Sequence, residues 1–364
     1  MAGDRRETLL SWLEHRLLRP MPRKRKYAAP RRVARIIVFG QFPNPTYDYY
    51  FAARLAETDV SEILVVDIRD RPMPVLDPVG AAVIICRYMS GPILDWIEEN
   101  ARELAAVCLF IDDDIPALLA DQEASLGYRW RLFIRAIWPI RRLNQHLDIL
   151  WTSTEVLASR HRHATVLPPA PLLEHSSSNR LNGGSSTDSD IVTIGYHGTS
   201  IHIREHFFLK PIIERVLQDR PQARFEVFVN SRSKAVWRNM ERVSVRRQVS
   251  WPEYLAEASS RSIDIFLVPL LPSRTNDCRA STKKIDVARY GAAAIFSACP
   301  AYGATDGDEI RLPNDPALWY SRLIALIDDP HERSKIAQAT RMAVSEMSEI
   351  AKKSIDFFSA SGVD

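Results

Sequence analysis

The residues best suited to chemistry stand between Ile263 and Gly291, in the stretch IDIFLVPLLPSRTNDCRASTKKIDVARYG. An apolar run ends at Pro269, a polar loop follows, and a helix is expected from Ser281 to Tyr290. Lys283, Asp286 and Gly291 then fall at the spacing K-x-x-D-x-x-x-x-G. Lysine and aspartate three apart at a helix start share one face and can address one ligand. A lysine there suits a diphosphate, because its charge adds to free backbone N–H groups and the helix dipole. A neighbouring carboxylate can accept both hydroxyls of a ribose. By spacing alone, an ordinary surface helix with a Lys–Asp pair explains the pattern too. Gly291 is the expected helix stop, letting the chain reverse into Ala292–Ser297.

A second concentration of charge, Asp112–Asp113–Asp114, directly follows the apolar run Ala106–Ile111. Carboxylates at the C-terminal end of a parallel strand face a ligand crevice. A partly desolvated one can take a proton from an acceptor hydroxyl, and Asp112 and Asp113 are the candidates. The acids are equally readable as caps of a helix beginning near Pro116. His197 and His202 flank Gly198; His202 is the stronger catalytic candidate, and both also read as surface histidines. His161, His163 and His175 read as solvent-exposed. In the loop Gly40–Tyr50, Pro and Tyr suit stacking on a ligand or a lid, while Tyr49 and Tyr50 equally suit a helix core.

Positioning these residues requires a layered scaffold. From Arg35 the chain alternates short β-rich runs with helical stretches, the pattern of a parallel α/β sheet. Strands are expected at Ala34–Gly40, Glu62–Asp67, Ala81–Cys86, Ala106–Ile111, Asp148–Thr152 and Ala164–Leu167. Helices are expected at Tyr47–Glu57, Pro92–Leu104, Tyr128–Gln145 and Thr154–Arg160. The polar run HSSSNRLNGGSSTDSD, 175–190, cannot bury a core and is expected to link two domains. Beyond it, strands are expected at Ile191–Tyr196, Arg224–Val229, Val243–Val249, Ile263–Pro269 and Ala292–Ser297. The matching helices are Ile203–Asp219, Pro252–Ser259, Ser281–Tyr290, Asp315–Asp328 and His331–Phe358. The domain plan is therefore a basic arm (1–33), a first α/β domain (34–174), a linker (175–190), a second α/β domain (191–340) and a C-terminal helix (341–364) that could cross back to the first domain.

The segments IDIFLVPL, KKIDVARYG and AAAIFS together resemble the donor-binding signature of GT-B glycosyltransferases of the "group 1", family 4-like class. The resemblance covers about residues 35–345, strongly in the second half and weakly in the first. It implies two doubly wound Rossmann-like domains facing a central cleft, 34–174 on the acceptor side and 191–340 on the donor side. It also implies transfer from a nucleotide diphosphate sugar to a hydroxyl of a glycan or glycolipid, with retention of anomeric configuration. Lys283, with Lys284 as a substitute, would lie near the diphosphate, and Asp286 would hold the ribose. IGYHGTSIHIREHFF resembles the opening of the donor domain, so that Gly198, Thr199, His202 and Arg204 would approach the diphosphate or sugar. Asn276, Arg279 and Ser281 complete the expected donor side, and Asp306–Gly307 would approach the cleft. The sequence departs from the pattern twice. Asp286 stands where the class has Glu, and Cys278, beside Asp277, stands where a second acid is common. A non-catalytic nucleotide or glycan binder is thus an alternative. So is a metal-dependent GT-A-like transferase, whose D-x-D would be Asp112-x-Asp114. The main reading requires neither metal nor cofactor beyond the sugar nucleotide.

Composition bounds these readings. The 364 residues suffice for two domains, and no apolar run approaches a membrane span. The charged N-terminus lacks a secretory core, so a cytoplasmic protein is expected. Cys86, Cys108, Cys278 and Cys299 show no metal-ligand spacing, and Cys86 and Cys108 read as buried thiols. Residues 1–35 hold eleven Lys/Arg against three acids, with Leu9, Leu10, Trp12, Leu13, Leu17 and Leu18 near helical spacing. Residues 5–32 could lie on an anionic membrane at its inner face or simply pack on the body. Nucleic acid is not expected as a partner of one basic arm on an acidic body.

Overall fold

The structure, a computed structural model, describes residues 19–22, 32–121, 123–172, 191–198, 202–303, 308–350 and 355. The expected linker and most of the basic arm lie outside the described residues. By its contacts the chain divides into two compact units. One comprises Met1–Ala170 with Cys278–Ala280 and Ile350–Asp364; the other comprises Pro171–Asp277 with Ser281–Glu349.

The first unit contains the strands β1 (Arg35–Gly40), β2 (Glu62–Asp67), β3 (Ala81–Cys86), β4 (Ala106–Ile111), β5 (Ile149–Thr152) and β6 (Ala164–Val166). They form one sheet in the order β2-β1-β3-β4-β5-β6, and every pair is parallel. The runs AAVIIC and AVCLFI are buried at every position, as central parallel strands covered on both faces must be. The chain winds outward from β1 to β2, then returns to β3 on the other side. A switch point therefore lies between the ends of β1 and β3, where ligands of such sheets bind.

The second unit contains β7 (Val192–Tyr196), β8 (Ala223–Val229), β9 (Val243–Arg247), β10 (Ile265–Val268), β11 (Ala293–Ser297) and β12 (Ile310–Leu312). Its sheet is also all parallel, in the order β12-β11-β10-β7-β8-β9, with the switch point between β7 and β10. Alternate residues feed two cores. Ile265 and Leu267 join one with Ile194 and Trp319, while Phe266 and Val268 join the other with Phe228 and Tyr290. Where β10 and β11 end, Ser297 Oγ accepts from the Leu270 N–H at 2.7 Å and donates to Asn314 Oδ1 at 2.6 Å. Gly291 closes the helix Lys283–Tyr290 in the left-handed region at φ 66°, the stop its position predicts.

Several expected elements take a different form. The helix expected over Tyr128–Gln145 is broken into Leu126–Leu132, a π-turn at Phe133–Ile137 and Ile140–Leu143. Pro139 ends the π-turn because it lacks the N–H that a continuing helix needs. The Tyr47–Glu57 helix is likewise two short ones, Pro45–Tyr50 and Ala52–Ala56, with Tyr49 and Tyr50 buried as core. His161, expected at the surface, is buried, with Arg19 Nη1 3.5 Å from its Nε2. Cys86, Cys108 and Cys278 are buried and form no disulfide. The last described helix spans Pro330–Glu349, after which Ile350 packs on Ala53 and Ala170.

Candidate functional site

In the second unit the chemistry gathers at the carboxyl end of the sheet. The helix Lys283–Tyr290 presents Lys283, Asp286 and Arg289 on one face. Lys283 Nζ is 2.8 Å from Asp286 Oδ2, and Arg289 Nη1 is 3.7 Å from Asp286 Oδ1. Asp286 is buried, whereas the Lys283 side chain keeps 35% of its exposure. Lys283 also stands 5.9 Å from the Tyr254 ring centroid. Its neighbour Lys284 turns into the body, where it pairs with buried Glu309, itself 2.8 Å from Arg311. Lys284 is therefore a structural cation, and Lys283 is the lysine open to a ligand.

His197, directly after β7, is buried in an aromatic box. Its ring stacks on Phe228 at 4.0 Å and meets Tyr254, Phe266 and Tyr290 edge-on. Nε2 lies 2.9 Å from Glu226 Oε1. Glu226 also pairs with Arg261 at 2.5 Å and Arg246 at 3.3 Å, and both arginines pair with Glu257. Burial pushes Glu226 up, but hydrogen bonds from His197 and Arg261 outweigh it and bring the carboxyl to about 2. An ionised carboxylate only accepts, so Nε2 of His197 carries the proton. Burial lowers the imidazole below its ordinary value, leaving it neutral. Gly198 follows with no room for a side chain: a Cβ would stand 2.6 Å from the Tyr196 hydroxyl.

A second group ties the loop after β10 to the helix Ile203–Asp219. Buried Glu205 accepts from the Leu271 N–H and from Asn276 Nδ2, each at 3.1 Å, with His202 Nδ1 3.6 Å away. Asn276 also donates to the Leu271 carbonyl. Arg204 is exposed and reaches the Pro272 carbonyl at 3.4 Å. Ser281 precedes the helix and accepts from the Lys284 N–H. Cys278 is fully buried, so its side chain presents nothing to a ligand. Thr199 and Asp306–Gly307 lie outside the described residues.

In the first unit the three aspartates separate by role. Asp114 is the N-cap of the helix Ile115–Ala120, accepting from the Ala117 N–H at 3.2 Å and pairing with Arg160 at 2.7 Å. Wholly buried and committed, it does not form a pair with Asp112 open to a metal. Asp112 and Asp113 instead converge on Arg87. Its Nε is 2.9 Å from Asp112 and its Nη2 2.6 Å from Asp113. Thr46 donates to Asp112 Oδ2 at 2.9 Å, and Arg279, which packs with this unit, lies 2.8 Å from Asp113. Burial raises the Asp112 carboxyl, with Arg87 pulling the other way. Arg87 holds a left-handed φ of 70°, a strained state for arginine that aims its guanidinium at both acids.

Arg87, Thr46, Glu205 and Glu226 escape local sequence reading. Only Arg87 carries a signal, a cation directly after a buried strand at the switch point. Among the described residues no cluster of three His, Cys, Asp or Glu is arranged to hold a metal.

No family profile and no curated protein matches the chain. Solved structures do. A mutant O-GlcNAc transferase of Thermobaculum terrenum aligns at TM-score 0.50 and 12% identity, covering 95% of this chain and 70% of that one. Anabaena HepE, in complex with UDP and glucose, aligns at 0.49 and 10%, covering 86% of this chain and 97% of that one. The GtfA/B complex aligns at 0.48 and 10%, and this chain spans only 56% of the length of the chain it matches there. With two all-parallel six-stranded sheets, the match to the O-GlcNAc transferase establishes the architecture. The fold is that of the GT-B glycosyltransferases.

Proposed function

We propose that this protein is a glycosyltransferase that moves a sugar from a nucleotide diphosphate to a hydroxyl of a glycan or lipid-linked acceptor. The observation that carries the reading is the Lys283–Asp286 pair, an accessible cation against a buried carboxylate on the helix after β10. Lys283 would neutralise the diphosphate as the C1–O bond to it breaks, and Asp286 would hold the ribose. Gly198, Thr199, His202, Arg204, Asn276, Arg279 and Ser281 are proposed to line the donor side, with Lys284 supporting the helix from within. Asp112, its carboxyl raised by burial, would accept the acceptor proton as the new C1–O bond forms, while Asp113 and Arg87 hold it in place.

This reading assigns 34–174 to the acceptor side and 191–340 to the donor, joined by 175–190, with 341–364 returning to the N-terminal domain. It takes the reaction to be retaining and to serve envelope polysaccharide or glycolipid synthesis. It places the protein in the cytoplasm, with residues 5–32 against the inner face of a membrane. No helix among the described residues is long and apolar enough to cross a membrane.

The test is a calorimetric screen of UDP-, GDP-, dTDP- and ADP-sugars without metal, on wild type and Lys283→Ala. One donor binding the wild type and losing about tenfold in the variant, the scale of a charged hydrogen bond, supports the reading. No binding until manganese is added would overturn it. The buried Cys278, standing where the class has an acid, favours a second reading, a binder without turnover. Donor binding with hydrolysis alone, and no product on any acceptor, would favour that one.

A further inference from the structure

The stretch Leu126–Leu143 shows a surface that neither the donor nor the acceptor chemistry uses. Leu126, Trp130, Ile134 and Trp138, four residues apart, keep 78%, 64%, 44% and 74% of their exposure. Trp130 stacks on Phe133 at 5.9 Å, and Phe133 meets Trp138 at 6.2 Å, so the aromatics form one continuous patch. The opposite side is core: Leu132, Ala136, Ile137, Ile140 and Leu143 are buried. The same stretch contains five arginines and no acid. Arg142 is paired with Asp95 and Glu98, whereas Arg129, Arg131 and Arg141 make no ion pair among the described residues.

We propose that the face carrying Leu126, Trp130, Ile134 and Trp138 docks on a bilayer surface that contains anionic lipid. Grouped tryptophans exposed to water lose free energy unless something covers them. Indole rings favour the headgroup level of a bilayer, with an apolar body and a polar N–H. Flanking arginines without acids supply the attraction to anionic headgroups that keeps such helices in the interface plane. A second copy fits the face poorly, because pairing two of them sets arginines against arginines. The described end of the basic arm packs on the opposite, core side, where Pro20 lies with Ala136, Ile137 and Ile140. The Met21 N–H donates to Asn144 Oδ1, and Asn144 Nδ2 donates to the Arg19 carbonyl, just past Arg142.

The full chain is tested by flotation with phosphatidylcholine vesicles, with and without about one-third phosphatidylglycerol. Binding is expected only to the anionic vesicles and should weaken with salt. Trp130→Ser/Trp138→Ser, and separately Arg129→Gln/Arg131→Gln/Arg141→Gln, are expected to lower it by about tenfold or more. Trp130, Trp138, Arg131 and Arg141 are exposed and Arg129 is half-buried, so thermal unfolding should stay near the wild-type value. The arm variant Lys24→Gln/Arg25→Gln/Lys26→Gln should keep its dependence on Trp130 and Trp138. Absence of wild-type binding, or unchanged binding of the tryptophan variant, overturns the proposal. If that variant instead dissolved a wild-type dimer and bound vesicles unchanged, the face would belong to a second copy. No donor or acceptor enters the assay, so its result is separate from the test of sugar transfer.

Discussion

Lys283 Nζ stands 2.8 Å from Asp286 Oδ2, one turn apart on a helix whose first residue is Lys283 itself. In the proposed donor site the cation and the acid would address different parts of one ligand, and substitutions should separate them. Lys283→Ala is expected to weaken nucleoside diphosphates about tenfold and leave the bare nucleoside nearly unchanged. Asp286→Asn should weaken both, because the ribose is common to both. Isothermal titration with the two ligands distinguishes the patterns.

Asp112→Asn should lower sugar transfer by about 100-fold or more while leaving donor affinity near wild type. The amide keeps the shape and the hydrogen bond from Thr46 but cannot take a proton. Product formation and donor titration on one preparation check both halves. A loss of donor affinity in step with turnover would place Asp112 on the donor instead.

Asp114 predicts a different outcome from its neighbour. Removing its carboxylate by Asp114→Ala strips the helix cap and leaves Arg160 without its buried partner, at a cost of about 3–5 kcal/mol. Asp114→Asn keeps a cap acceptor and should cost less. Urea unfolding measures both. Intact stability together with loss of a metal-dependent transfer would revive the D-x-D reading.

His206 sets a pH dependence of stability. Its Nδ1 accepts from Trp237 Nε1 at 2.9 Å, and burial lowers its pKa to about 4. Between the ordinary histidine value of about 6.5 and about 4, the unfolded chain binds a proton that the folded chain refuses. Stability is thus full above about 6.5 and falls with acid, by up to about 3 kcal/mol for this group. Burial lowers His197 in the same direction. Unfolding at pH 7 and pH 5 should show the loss, and His206→Gln should flatten it.

The parts of the molecule legible in the sequence are those fixed by local patterns. Continuous apolar runs become central strands, and Gly291 stops its helix because a left-handed residue is needed there. The triplet Asp112–Asp114 shows the opposite case. Three identical residues receive three environments because the third starts a helix, and only the fold brings Arg87 to the first two. Glu205 reads as an ordinary helix acid until the loop after β10 arrives 66 residues later to bond it. His161 reads as polar surface until Arg19, 142 residues earlier, covers it. Such roles depend on contacts across the chain, which periodicity does not encode.

The π-turn at Phe133–Ile137 inserts a residue into the helical path that continues from Leu132 toward Trp138. Each residue of an α-helix advances the side-chain direction by about 100°. Chain length between Leu132 and Trp138 therefore sets whether the aromatics upstream and downstream point the same way. Removing one residue there would keep the composition almost unchanged yet swing Trp138 out of line with Trp130. In this stretch, drift by insertion or deletion would alter the outer face more than any single exchange of side chains.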